Sequence, residues 1–286
     1  MCLLFLSLDE NPTPRRYPVV IANNRDELWD RPTKLADFWP SHQDCISGLD
    51  EEPGKEGGTW LGLSKTGHFA SLLNILSSQN DPNKKGRGHL VTNCLTSSND
   101  QQSYLRSVFS EADQYNGFNL VALHIRAGWK YTLTFLSSWT QYYDKLLDIT
   151  PQGYHGFGNC RHKPAWKKVE VGKAAFKKIV EANGTTDKKE KLLEELFQLL
   201  SDKSKHLPDE QLDNEGKNLP EDLRQQLAAI NVWSPANRYG TRTMTVILID
   251  SDGNAEYIEK TLKTPVEAES IQWITSRHSF KMQLDS

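Results

Sequence analysis

Long apolar runs are missing from this 286-residue chain. No window approaches the ~18 consecutive apolar residues of a membrane-spanning helix, so a helical transmembrane segment is not expected. An excess of basic charge is missing too. Lys and Arg number 34 against 37 Asp and Glu, a net charge of −3, which gives no general attraction to nucleic acid or to an anionic membrane surface. Cysteine is scarce. Cys2, Cys45, Cys94 and Cys160 stand far apart, a pattern that fits a reducing compartment better than a disulfide framework. That points to a cytoplasmic protein. There is no CxxC pair and no His-x-x-Glu-His element, so no structural zinc site is expected. Cys160 and His162 form the one short Cys/His spacing, and two such residues do not make a metal site. Internal repeats and low-complexity tracts are also absent. What is present is an ordinary globular balance, 37% hydrophobic and 25% charged, which supports a core and excludes compositional disorder.

The local patterns alternate between strand and helix in blocks. Leu3 to Leu8 and "YPVVIANN" read as strands, the second rich in β-branched residues. "DENPTPRR" between them, with two prolines, suits a hairpin loop. "GGTWLGLSKTGHFASLLN" reads as two strands around a Lys65-Thr66-Gly67 turn. "GHLVTNCL" and "DQQSYLRSVFSEA" read as helices, followed by a strand pair, "FNLVALHI" and "KYTLTFLS". A helix is expected over "AWKKVEVGKAAFKKIVEA", just after Pro164, and another over "KKEKLLEELFQLLSD". The polar stretch 202–218 reads as a surface excursion. "RTMTVILID" and "AEYIEKTL" form a hairpin across "SDG", and "SIQWITSRHSF" adds a last strand. Strands in antiparallel-looking pairs at both ends, with helices grouped between them, indicate an α+β protein, not a parallel βαβ sheet. "GKEGGTWLG" does not join a strand to a helix in a βαβ unit, so it is no dinucleotide loop.

Chemistry points first to the opening stretch, "MCLLFLSLDEN". An arbitrary cysteine in an apolar strand is a small buried hydrophobe. This one follows Met1 directly, and Met1 is expected to be removed ahead of so small a residue. Cys2 would then carry a free α-amine beside its own thiol. An α-amine titrates near ~7.7–8.0 and can serve as the base that activates the neighbouring nucleophile. Arg25 and Asp26 stand just past the second strand. They read either as a solvated turn or, if the first two strands pair, as charges beside Cys2. In the second case Asp26 accepts from the Cys2 nitrogen and Arg25 lowers the thiol pKa. Asn74 and Asn159 stand at strand ends, as turn formers or as donors to a developing oxyanion. Arg242, at the start of the strongest strand, is an edge charge or projects into a site. Lys84, Lys85 and Arg87 precede a helix start and would suit an anion such as a propionate, phosphate or acyl-CoA tail, or form a solvated basic turn.

"MC" at the start, "NRDE" at 24–27, "GGTWLG" at 57–62, "YNGFNL" at 115–120 and "YGTRT" at 239–243 together resemble one family. It is the NRDE-motif family, also called transport and Golgi organisation protein 2. The blocks stand in the family's order along almost the whole chain. The resemblance implies an N-terminal-nucleophile hydrolase-like fold, a four-layer αββα sandwich formed by residues 1–286 as a single domain. It is similar to the fold of penicillin V acylases and bile-salt hydrolases. It implies Cys2 as nucleophile and base carrier, Arg25 and Asp26 as its tuning charges, Asn74 and Asn159 at the oxyanion and substrate-carbonyl positions, and Arg242 as a supporting charge. The chain departs from the family at "GFGN", where a Gly-Leu-Ser-Asn loop is usual.

Two functions follow from the resemblance. The first is intracellular haem trafficking, a carrier linked to lipid and Golgi homeostasis, in the cytoplasm and also at the mitochondrion. The other is hydrolysis of an amide or thioester by Cys2. Either takes a small amphipathic ligand, haem or an acyl compound, and neither requires a resident cofactor. Histidine spacing marks no haem ligand, and the oligomeric state is open.

Overall fold

The computed structural model describes residues 2–77, 80–97, 100–139, 146–161 and 164–285. In chain order the strands are β1 (Cys2–Leu8), β2 (Val19–Leu28), β3 (Thr33–Trp39), β4 (His42–Asp50), β5 (Leu61–Ser64), β6 (His68–Asn74), β7 (Phe118–Arg126), β8 (Lys130–Ser137), β9 (Leu147–Ile149) and β10 (Gly153–Phe157). Four more follow, β11 (Trp233–Ser234), β12 (Tyr239–Ile249), β13 (Asn254–Leu262) and β14 (Trp273–Lys281). The helices are α1 (His89–Thr96), α2 (Gln101–Ser110), α3 (Lys167–Asn183), α4 (Lys189–Leu200), α5 (Glu210–Glu215) and α6 (Glu221–Leu227). His162 lies outside the described residues. No described helix is long and apolar enough to cross a membrane.

The chain forms two compact units. The first joins residues 1–31 to 152–281 and holds one antiparallel sheet in the order β10-β1-β2-β12-β13-β14, with β11 paired to β12. Every residue of β1 is buried, as an apolar central strand covered on both faces must be. Helices α3 and α4 pack on this sheet. Phe5 of β1 stacks on Phe176 of α3 with ring centroids 5.6 Å apart. The contact depends on Gly172, where an added Cβ would lie 2.4 Å from Phe5 Cζ. Helix α4 turns Leu192, Leu193, Leu196, Phe197, Leu199 and Leu200 inward.

The second unit, residues 32–151 and 282–286, holds an antiparallel meander in the order β3-β4-β5-β6-β7-β8-β9. Its core gathers Leu90, Val91, Cys94 and Leu95 of α1, Leu105 and Val108 of α2, and Phe118, Leu120, Ala122 and Leu136 of the sheet. The fold is therefore α+β, with antiparallel sheets and separate helices as the pairing of strands indicates. In each unit helices pack on one sheet, the α–β pairing of which the expected sandwich is made.

Several stretches differ from expectation. Strands β9 and β11 and helix α6 have no counterpart in the sequence analysis, nor do strands β3 and β4. The burial of β3 and β4 is irregular and charges interrupt them; β3 ends the sheet and pairs on one side only, while β4 lies between β3 and β5. The polar excursion 202–218 is partly structural. Asp209 is buried, caps α5 by accepting from Leu212 N at 3.0 Å, and accepts from Lys167 N at 2.7 Å. It thereby braces the start of α3.

Candidate functional site

The antiparallel pairing of β1 with β2 places Cys2 opposite Arg25, and the pairing of β2 with β12 places Arg25 opposite Thr243. Directly opposed residues share a face of the sheet. The end of one strand thus meets the start of the other, as the sequence suggests. Asp26 stands opposite Thr241, and Arg242 occupies a bulge between Thr241 and Thr243. A bulge inserts one unpaired residue and redirects its side chain.

Cys2 is 6% exposed. Its backbone nitrogen donates to Asn159 Oδ1 at 2.7 Å, across 157 residues of chain. Asn159 itself is fully buried just past β10. The resemblance puts the Asn159 amide at a substrate carbonyl. In the structure its oxygen end meets the Cys2 nitrogen. Burial raises the Cys2 thiol pKa above its ordinary value, and the nearby Asp26 charge adds to that. The Asp26 backbone N–H and the Arg25 guanidinium pull it down, and burial wins. Arg25 acts in the direction expected of it without producing a resting thiolate.

Asp26 is buried and accepts the Thr241 hydroxyl on Oδ1 at 2.6 Å. The Thr241 oxygen in turn accepts from Val232 N at 2.9 Å. Tyr239 donates its hydroxyl to the Asp26 carbonyl at 3.1 Å. Burial raises the Asp26 pKa, against the lowering effects of Lys168 and of the Thr241 bond. For Glu27 burial is outweighed by Arg25 and Arg31, and the pKa falls. Arg242 is no exposed edge charge. It is 1% exposed, and its Nη1 donates to the carbonyls of Leu28 and Arg31. Those bonds hold the chain as it leaves β2. Burial and then Arg25 lower its pKa to about 10.

Asn74 ends β6, and Lys84, Lys85 and Arg87 precede α1, all in the second unit. Lys84 Nζ donates to the Tyr115 carbonyl at 3.3 Å. Lys85 Nζ is 3.5 Å from Glu111 Oε2. Arg87 Nη1 donates to the Gly117 carbonyl at 2.7 Å. The basic cluster thus binds the 111–117 segment. Among the described residues no group of three or more His, Cys, Asp or Glu could hold a metal ion.

Two buried groups of the site escaped the sequence reading. Thr241 lies inside "YGTRT", where only Arg242 stands out by charge. Lys168 is 1% exposed in the first turn of α3. It shares the buried stripe of Gly172, Phe176 and Val180. A lysine at that i, i+4 spacing on an apolar face was the available signal.

Chemically the arrangement offers a thiol, an oriented nitrogen beside it, a buried carboxylate and nearby cations. A family model, Transport and Golgi organisation 2, matches residues 1–264. The chain is similar to the bovine Transport and Golgi organization protein 2 homolog, with 36% identity covering 99% of this chain and 100% of that one. It is similar to the Drosophila melanogaster Transport and Golgi organization protein 2, with 33% identity and 92% of each chain covered. Among solved structures, it is similar to the C2A mutant of the conjugated bile acid hydrolase from Clostridium perfringens. That match has 9% identity and a TM-score of 0.38, and covers 100% of this chain and 98% of the other. The family match and the near full-length relatives place the chain in the Transport and Golgi organisation 2 family.

Proposed function

We propose that this chain is a cysteine-dependent acyl hydrolase that opens an amide or thioester at Cys2. One observation carries the reading, the 2.7 Å bond from the Cys2 nitrogen to buried Asn159. It fixes the nitrogen beside the thiol that it is to deprotonate. With Met1 removed, the α-amine takes the thiol proton as Sγ attacks the acyl carbon. The bond to the leaving amine or thiol breaks, and that group leaves with the proton. Water then attacks the Cys2 thioester, releasing a carboxylic acid and restoring the thiol. Arg25, Asp26 and Arg242 complete the proposed site in the first unit, and Asn74 is a candidate residue of the second. In the second unit, Lys84, Lys85 and Arg87 would take an anion on release from 111–117.

A second reading is a carrier of haem or a similarly flat amphipathic ligand. What favours it is the burial that keeps the Cys2 thiol protonated, since a carrier needs no resting nucleophile. The names of the relatives, which concern transport and Golgi organisation, suit this reading. It extends to lipid homeostasis and to action in the cytoplasm and at the mitochondrion.

The test compares wild type with Cys2→Ala on a panel of amides and thioesters, beside a haem titration. Wild-type turnover abolished by Cys2→Ala supports the hydrolase. No turnover, with haem held equally by both proteins in the micromolar range, supports the carrier.

A further inference from the structure

The ammonium of Lys168 donates to the Ala229 carbonyl at 3.1 Å and stands 5.7 Å from the centre of the Trp166 ring. Both partners are neutral. A buried ammonium is costly without an anion in reach, and a cation in the first turn of a helix also opposes the macrodipole. Burial lowers the Lys168 pKa, and the anionic groups that oppose this are Asp26 of β2, Cys2 of β1 and Asp209 ahead of α5, with Asp26 foremost. Asp209 is engaged through both oxygens, by Lys167 N and Leu212 N. The segment 229–232 connects Lys168 to Asp26. Ala229 accepts from Lys168, Ile230 accepts from Asn24 Nδ2 at 2.9 Å, and Val232 N donates to the Thr241 hydroxyl that itself donates to Asp26. The chain N-terminus, Cys2 on β1, Arg25 and Glu27 on β2 and Tyr239 on β12 are the other titratable groups around this carboxylate, the N-terminus acting on it more strongly than Lys168.

We propose that Lys168 is the counter-charge of Asp26 and a positioning residue of the Cys2 site. It keeps the carboxylate ionised and limits how tightly that carboxylate holds the ammonium formed on the Cys2 nitrogen. The proposal rests on the Cys2 reading above. With Lys168 present, part of the Asp26 field is already met, and the α-amine becomes a free base at lower pH. Without it, Asp26 grips the α-ammonium alone, and the amine is released only at higher pH.

The experiment is a double-mutant cycle on thermal melting, with Lys168→Met, Asp26→Asn and the pair, together with the pH profile of Cys2 alkylation by iodoacetamide. The pair should melt at least ~2 °C higher than additive losses give. The alkylation midpoint should rise by about one unit in Lys168→Met, as loss of a nearby charge allows. In Lys168→Arg it should stay near the wild-type value. Additive losses with an unmoved midpoint would overturn the proposal and leave Lys168 an ordinary core residue. Should Lys168→Met not fold alone, recovery by adding Asp26→Asn supports the pair, and no recovery overturns it. If wild-type Cys2 reacts no faster than Cys94 at any pH, the Cys2 reading fails, while the melting cycle still decides the charge pair.

Discussion

Replacing Thr241 with valine keeps the shape of a buried side chain and removes two hydrogen bonds. Val232 N loses its 2.9 Å acceptor, and Asp26 Oδ1 loses its 2.6 Å donor. Thr241 is 1% exposed, so water does not readily replace either bond. A hydrogen bond to a charged group contributes roughly 1.5–3 kcal/mol, and an unsatisfied buried donor costs roughly 1–3 kcal/mol. The two overlap, because one hydroxyl serves both, and the combined loss should be about 3 kcal/mol. For a unit of this size that lowers the melting temperature by ~6–12 °C. Thr241→Ser restores the hydroxyl and should recover most of the loss. Circular dichroism melts of the three proteins at neutral pH measure it. A valine variant melting within ~2 °C of wild type would refute the reasoning, since it would mean that neither bond holds the Asp26 corner in place.

Gly172→Ala brings a methyl into the Phe5 ring and should destabilise by about 1–3 kcal/mol, read as a lower urea midpoint; an unchanged midpoint would contradict the packing. Asp26 has a folded pKa above its ordinary 3.8, so its contribution to stability is full below that pH and is lost as pH rises through the raised value. The melting difference between wild type and Asp26→Asn should therefore fall as pH rises above 4, and a flat difference would count against the burial of that charge. All four thiols are held up by burial, Cys45 to about 11 and Cys94 and Cys160 to about 12. Gln101 opposes this at Cys94 and backbone N–H groups at Cys160, but only Cys2 has positive charge to oppose it, from the chain N-terminus and Arg25, so peptide-resolved alkylation should find it fastest, and equal rates would make it an ordinary strand thiol.

What could be read in advance was local. The paired strands at 3–24, 118–137 and 242–262 show as apolar, β-branched runs separated by turn residues, and α3 and α4 show by spacing and a preceding proline. Strands β3 and β4 did not show, because charged and polar residues interrupt both and neither carries a clean alternation. The site was legible in its residues and not in its bonds. Pairing of the first two strands brings Arg25 to Cys2, and that follows from a hairpin. The bond from Cys2 to Asn159 spans most of the chain, and no local pattern says which end of the amide faces the nitrogen. Asp209 looked like part of a solvated stretch because its partners, Lys167 N and Leu212 N, are backbone groups without a sequence signature. Lys168 was hidden by the usual expectation that lysine is solvated.

The central claim is that the Cys2 sulfur takes an acyl group while its own nitrogen serves as base. Intact-mass and peptide-level mass spectrometry of the protein quenched during incubation with the amide and thioester panel tests it most directly. The expected result is a chain lacking Met1 that bears an acyl group on Cys2, with no adduct on Cys2→Ala. A chain that retains Met1, or one that never gains an acyl group on Cys2 from any member of the panel, would contradict it.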